Sequence, residues 1–306
     1  FFLLWGGGGG GGVRASTSTD TYEWFDPVQK YQLNEEVSGE QRPLLIYVPG
    51  IEGSGLTPVA QYPELNTRFE LKCLRFEGRD RSTFEDITKN VGNRIKEAKQ
   101  EGREVFLMGE SFGGLVGLSL ARGSQGEECT PNRLILVNSA SSFDRTLIGR
   151  LSPSLVRVPE PFFTLTIWPI VFLILDGDMF SLIYKLSQGE YPSILDGEAR
   201  KDFVNKIFPD LVAQLRINSD DLKWRVRNWV LDGCQDVNNC LHEVTVPVLA
   251  VAGNQDLLLP SAEEAIRFKE NIPNCKVEVI EGAGHAGAID MRTDLSAVID
   301  KWLTET

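Results

Sequence analysis

The sequence predicts an α/β fold: a mostly parallel central sheet with helices on both faces, interrupted by a helical cap insertion. Three observations predict it. Short apolar runs alternate with segments of helical periodicity on either side of residues 144–243. The alternation breaks inside that stretch, which carries Pro153, Pro159, Pro161, Pro169 and Pro192. A small-residue turn, Gly109-Glu110-Ser111-Phe112-Gly113-Gly114, joins an apolar strand pattern to a helix pattern.

Taken in order, Phe1 to Trp5 are apolar, Gly6 to Gly12 are all glycine and Ala15 to Thr19 are hydroxyl-rich. A glycine run cannot repay the entropy of ordering it, so residues 1–20 read as a linker or the tail of a targeting segment. The first residue is Phe rather than Met, so the start of the gene product is expected upstream. Residues 21–143 then form the first part of the core. Leu44 to Val48 is a buried strand ending at Pro49-Gly50, and Phe69 to Phe76 is a second strand. Ser82 with Glu85 has capping-box spacing ahead of Phe84, Ile87, Val91, Ile95 and Ala98, which recur at helical intervals. Glu104 to Gly109 is a strand, Leu115 to Ala121 a helix and Leu134 to Asn138 a strand.

Residues 144–243 form the cap or lid insertion. Phe162 to Leu175 is its most apolar part, but 14 residues broken by Pro169 fall short of the roughly 20 that span a bilayer. That segment is either a buried cap helix or a lipid-facing lid making peripheral membrane contact. Residues 244–306 return to the core, with strands Val246 to Ala252 and Lys276 to Ile280. Ser261 and Glu264 offer a second capping box, and Leu295, Val298, Ile299, Trp302 and Leu303 form one face of a final helix.

With 42% hydrophobic and 24% charged residues, the composition is that of a soluble globular chain. A formal charge of -12 and the lack of any Lys/Arg stripe exclude a nucleic-acid partner. Five cysteines, an odd number with no CxxC pair, suggest neither a disulfide framework nor a zinc site. Cys234 and Cys240 are close enough to pair across a loop, or are two ordinary thiols of a reducing compartment. No cofactor and no metal is expected.

The chemistry centres on Ser111. G-x-S-x-G between strand and helix lifts the serine hydroxyl above the sheet edge, with the helix N-terminus behind it. A serine nucleophile needs a base, and the chain has two histidines, His242 and His285. His285 lies in Gly282-Ala283-Gly284-His285-Ala286-Gly287, just after the last predicted strand, where sites form in parallel sheets. His242 precedes a strand and is expected at the opposite end. Asp256, in Gly253-Asn254-Gln255-Asp256, follows the strand before that and is the expected orienting carboxylate; Asp144 is the alternative. Oxyanion donors are expected from the backbone N–H groups of Phe112 and of Ile51, in the loop Pro49-Gly50-Ile51-Glu52-Gly53-Ser54-Gly55. No lysine follows that loop, which argues against a phosphate loop. His285 and Asp290 also fit the H-x-x-x-x-D spacing of glycerolipid acyltransferases, a match read as coincidence because the other motifs of that fold are missing.

With these residues in place, Leu44 to about Phe143 resembles the α/β-hydrolases. More narrowly it resembles the hydrolase domain of the plastid esterase/lipase/thioesterase group that includes phytyl ester synthases. The carrying features are the Pro49–Gly55 loop, the run Cys73-Leu74-Arg75-Phe76 leading to Asp80-Arg81-Ser82-Thr83-Phe84, and the Gly109-Glu110-Ser111 turn. Asp256 and His285 match the group's later triad positions. The resemblance implies the α/β-hydrolase fold, a chloroplast location and a lipid or hydrophobic ester as substrate. Phytyl ester synthases carry a further acyltransferase-like domain, whereas the sequence here ends at Thr306. The expectation is therefore a serine-dependent carboxylic ester hydrolase working through an acyl-enzyme. Acyl transfer by the same triad, making lipid or phytyl esters, and a non-catalytic ligand-binding protein on this scaffold are the alternatives.

Overall fold

The computed structural model describes residues 21–33, 35, 41–142, 184–191, 195–214, 219–286 and 293–305. Seven strands, β1 (Tyr22–Phe25), β2 (Leu44–Val48), β3 (Glu70–Phe76), β4 (Val105–Glu110), β5 (Arg133–Val137), β6 (Val248–Gly253) and β7 (Cys275–Ile280), form one sheet among the described residues. Their order is β1-β3-β2-β4-β5-β6-β7; β1 runs antiparallel to β3 and every other pair is parallel. The helices are α1 (Pro27–Lys30), α2 (Tyr62–Arg68), α3 (Phe84–Gln100), α4 (Phe112–Ala121), α5 (Glu198–Gln214), α6 (Ser219–Arg225), α7 (Asp232–Val237), α8 (Ser261–Asn271) and α9 (Leu295–Glu305). A π-helical turn, Val226–Leu231, continues α6 into α7.

Side-chain alternation along the strands divides the core into two layers. Leu44, Ile46 and Val48 of β2 face one side with Leu107, Leu134 and Leu136, under Val91 and Ile95 of α3, Leu118 of α4 and Phe268 of α8. Leu45 and Tyr47 face the other with Phe106, Met108 and Ile135, under Leu65 of α2, Phe203 of α5 and Trp302 of α9. A strand buried on both faces must read as a continuous apolar run, as Leu-Leu-Ile-Tyr-Val does.

The predicted strands lie within two residues of their observed bounds, and the α/β-hydrolase architecture expected from the sequence is the one found. Three features differ. β1, with only four residues, is too short to express a period. Neither expected capping box forms as read. The N-cap of α3 is Thr83, one residue later than Ser82, and its hydroxyl and backbone trade hydrogen bonds with Asp86. Ser82 instead gives its carbonyl to Trp229. At α8 the N-cap is Pro260, without a side-chain bond. There Ser261 donates to Asp256, and buried Glu264 accepts from the N–H and hydroxyl of Ser141, both at 3.0 Å. Asp256 in the preceding loop and the distant Ser141 thus took both side chains away from the capping motif.

Between β5 and β6 the longer helical elements among the described residues are α5, α6, the π turn and α7. Asp144, Phe162 to Leu175, the five cap prolines named above and Asp290 lie outside the described residues. Cys234 and Cys240 are free thiols.

Candidate active site

The chain runs from β2 outward to β3, then returns past β2 to β4. Such a reversal of strand order opens a crevice at the carboxyl ends of the strands. Ser111 follows β4 directly and heads α4, at φ 50° and ψ −113°, a conformation uncommon for any residue bearing a side chain. Its N–H donates to the Val137 carbonyl at 2.9 Å, which fixes the turn against β5. Glycine at 113 is obligatory here, because a Cβ there would stand 2.1 Å from the Val48 carbonyl oxygen.

The loops after β6 and β7 bring the other two residues to the same point. His285 Nε2 lies 3.1 Å from Ser111 Oγ, and His285 Nδ1 lies 2.8 Å from Asp256 Oδ2. Asp256 is held by its other oxygen, which accepts the N–H groups of Leu258 and Leu259, each at 2.9 Å. The two loops are tied together: Gln255 N–H donates to the Ala283 carbonyl at 2.9 Å and Gly282 N–H to Asn254 Oδ1 at 2.7 Å. His242 sits exposed in the single turn Leu241–Glu243 ahead of β6, at the amino end of the sheet.

Three charges shape the imidazole. Burial pulls the His285 pKa down, but the Asp256 charge and hydrogen bond, with the charges of Glu110 and Glu52, outweigh it and leave it above 6.5. Burial pushes Asp256 up, but the His285 charge and the hydrogen bonds to its carboxylate hold it below the ordinary value.

The N–H of Phe112, at the first position of α4, has no acceptor within its own helix. The loop bearing Ile51 comes up beside the serine: a Cβ on Gly50 would lie 3.5 Å from Ser111 Cβ.

Three contributors escaped sequence reasoning. Asn138, expected as the last residue of a strand, lies beyond β5 at φ 45° and is buried. Its amide donates to the carbonyls of Gly284 (3.0 Å) and His285 (2.9 Å), and its oxygen accepts the Gly253 N–H at 2.7 Å, so one side chain knits both loops. Glu110 and Glu52 stood in the two motif loops as spacers. Glu110 is buried and accepts from the hydroxyls of Tyr47 and Thr57. Burial pushes Glu110 up, and burial with the Glu110 charge pushes Glu52 up to about 7. An acid in each of two loops that converge on one serine was the available signal.

A family model described as the alpha/beta hydrolase family matches residues 39–298. The chain belongs to that family. It is 30% identical over 280 residues to phytyl ester synthase 1, chloroplastic, of Arabidopsis thaliana, covering 90% of this chain and 38% of that protein. Phytyl ester synthase 2, chloroplastic, of the same plant is 24% identical over 291 residues, covering 90% of this chain and 39% of that protein. The chain therefore spans well under half the length of these relatives. Among solved structures, MenH from S. aureus superposes with a TM-score of 0.57 at 18% identity, over 93% of this chain and 98% of that one. That likeness is one of fold.

Proposed function

We propose that this alpha/beta hydrolase is a serine-dependent carboxylic ester hydrolase that acts on a hydrophobic ester through an acyl-enzyme. The observation that carries the reading is the continuous chain of contacts from Ser111 through His285 to Asp256. Ser111 Oγ attacks the ester carbonyl as His285 Nε2 takes its proton. The oxyanion is met by the N–H groups of Phe112 and Ile51. His285 then returns the proton to the leaving alcohol, and water attacks the acyl-Ser111 by the same path reversed. Asp256 accepts from Nδ1–H, which keeps Nε2 free as the base. The apolar run Phe162 to Leu175 supports a hydrophobic acyl or prenyl ester and a cap that touches a lipid surface. No helix among the described residues is long and apolar enough to cross a membrane.

A fluorophosphonate probe is expected to label the protein once, with the added mass on the peptide containing Ser111. A silent Ser111 in folded protein would favour a ligand-binding role instead.

A second reading, transfer of the acyl group to an alcohol, is favoured by the names of the two relatives. Their names also support a chloroplast location. Incubation of an acyl donor with phytol separates the two readings: free acid alone indicates hydrolysis, and a phytyl ester indicates transfer.

The charges around His285 set a pH dependence. Protonated His285 cannot serve as base, so kcat/KM rises with pH and is lost as pH falls through the His285 pKa. Because that pKa is raised, the acid limb is expected above pH 6.5. Glu110→Gln removes one of the charges that raise it and should move the limb to lower pH. A limb that stays put in this variant would show that the Glu110 charge does not act on the imidazole.

A further inference from the structure

We infer that Arg225 and Trp229, where α6 runs into the π turn, are positioning residues that hold both proposed oxyanion donors in place. The inference rests on the esterase reading above and adds what fixes its oxyanion site.

Arg225 ends α6 and is only 1% exposed. Its Nη1 donates to the carbonyls of Ile51 (2.9 Å) and Glu52 (2.7 Å), and its Nη2 to the Glu77 carbonyl (3.1 Å). The carbonyls on either side are taken as well. Gly50 accepts from Gly53 N–H at 3.0 Å, and Gly53 accepts from Phe76 N–H at 2.8 Å. All four carbonyls of residues 50–53 are thereby engaged by protein. In a trans peptide the N–H points opposite to the carbonyl. The bond that captures the Gly50 carbonyl therefore sets the direction of the Ile51 N–H, and Arg225 locks the next two peptide planes of the same turn. The fit leaves no slack: a Cβ on Gly53, which has φ +71°, would lie 2.8 Å from Arg225 Nη1.

The second donor is reached through rings. Phe112 stacks on Trp229 with centroids 5.0 Å apart and planes 21° from parallel. Trp229 is itself fixed, by Phe76 at 4.7 Å and by its Nε1–H to the Ser82 carbonyl at 2.8 Å. The Arg225 guanidinium lies over the Trp229 ring at 4.6 Å, so the two side chains act as one unit. π-Helical turns cost regular hydrogen bonding and recur at functional sites. Burial holds the Arg225 pKa below its ordinary value, and the carboxylates of Glu52, Asp221 and Asp80 offset only part of that cost. Both side chains come from the insertion between β5 and β6, yet they brace the core's reactive edge.

A buried arginine on carbonyls can be merely structural, so the test reads the transition state as well as the fold. Arg225→Gln, Arg225→Lys and Trp229→Leu are compared with the parent on p-nitrophenyl butyrate. Each is also titrated with an alkyl boronic acid, whose tetrahedral adduct loads the oxyanion site. For the arginine variants kcat should fall about 10- to 100-fold with KM within about twofold, and boronate affinity should fall by a similar factor. Trp229→Leu should give a smaller fall of the same kind, and Arg225→Lys should retain more activity than Arg225→Gln. Thermal unfolding of each variant reports the folded fraction; if Arg225→Gln does not fold, the lysine and leucine variants decide. Folded variants with parental kcat and boronate affinity would overturn the inference. A rise in KM alone would overturn it too. Ser111→Ala separates the failures: if it still hydrolyses ester, the esterase reading itself falls. If it is dead while Arg225 variants are unimpaired, only the positioning role falls.

Discussion

Ser111→Ala is expected to lower kcat on p-nitrophenyl esters by about 10⁶-fold, to the residual rate that binding and oxyanion donors sustain without a nucleophile. The substitution deletes the one atom that His285 Nε2 meets at 3.1 Å and leaves the imidazole bonded to Asp256. It should be silent in stability. Alanine carries the same Cβ as serine, so the backbone at φ 50° is no more strained, and the Ser111 N–H keeps its bond to the Val137 carbonyl. Steady-state turnover at several acyl chain lengths, beside the unfolding temperature, checks both halves. Parental turnover in a folded Ser111→Ala protein would remove the hydroxyl from the mechanism.

The expected size of that loss follows from features that were unevenly legible in the sequence. That Ser111, Asp256 and His285 come together could be anticipated because each lies in a loop at the carboxyl end of a strand. Ser111 and Asp256 follow apolar runs long enough to be recognised as strands, and His285 follows Cys275–Ile280, where Lys276 and Glu278 alternate with apolar residues. The fold's main elements were legible for the same reason, since a strand buried on both faces has to be apolar throughout. Residues whose partners are distant in sequence left no local trace. Asn138 contacts residues 115 to 147 positions away. Glu264 has the spacing of a cap with Ser261, but Ser141, 123 residues earlier, takes its side chain, while Ser261 bonds to Asp256 five residues before it. Arg225 reads as one more charge on a polar helix, and only the folded chain brings it to Ile51, 174 residues earlier. Helix capping is worth about 1 kcal/mol, little enough for a buried tertiary hydrogen bond to override.

The buried carboxylates also bear on how the site is tuned. Burial pulls the imidazole pKa down; Asp256, through charge and hydrogen bond, opposes it most, and Glu110 and Glu52 add to that opposition from the side of the nucleophile. In the proposed mechanism a raised imidazole pKa gives up some activity at low pH and stabilises the charge that would develop as Ser111 loses its proton. In the proposed mechanism Asp256 supplies orientation as well as charge, which separates it from the other two acids.

Asp256→Asn is the test of that orientation, with an expected fall in kcat of about 10⁴-fold. The direction of the new amide is fixed by its neighbours. The Oδ1 position accepts two backbone N–H groups, those of Leu258 and Leu259, so an NH₂ group cannot occupy it. The amide oxygen must take that place, and the NH₂ falls at the Oδ2 position, facing His285 Nδ1. Facing a donor, Nδ1 becomes the acceptor and the ring proton moves to Nε2. Nε2 then has no lone pair with which to take the Ser111 proton. The variant should remain folded, since both backbone bonds survive, and should bind ester normally while failing to turn it over. Nitrogen-15 chemical shifts of the His285 ring, which distinguish the two tautomers, provide the direct check. Turnover within about tenfold of the parent would mean that another group orients the ring, and Asp256 would lose its assigned role.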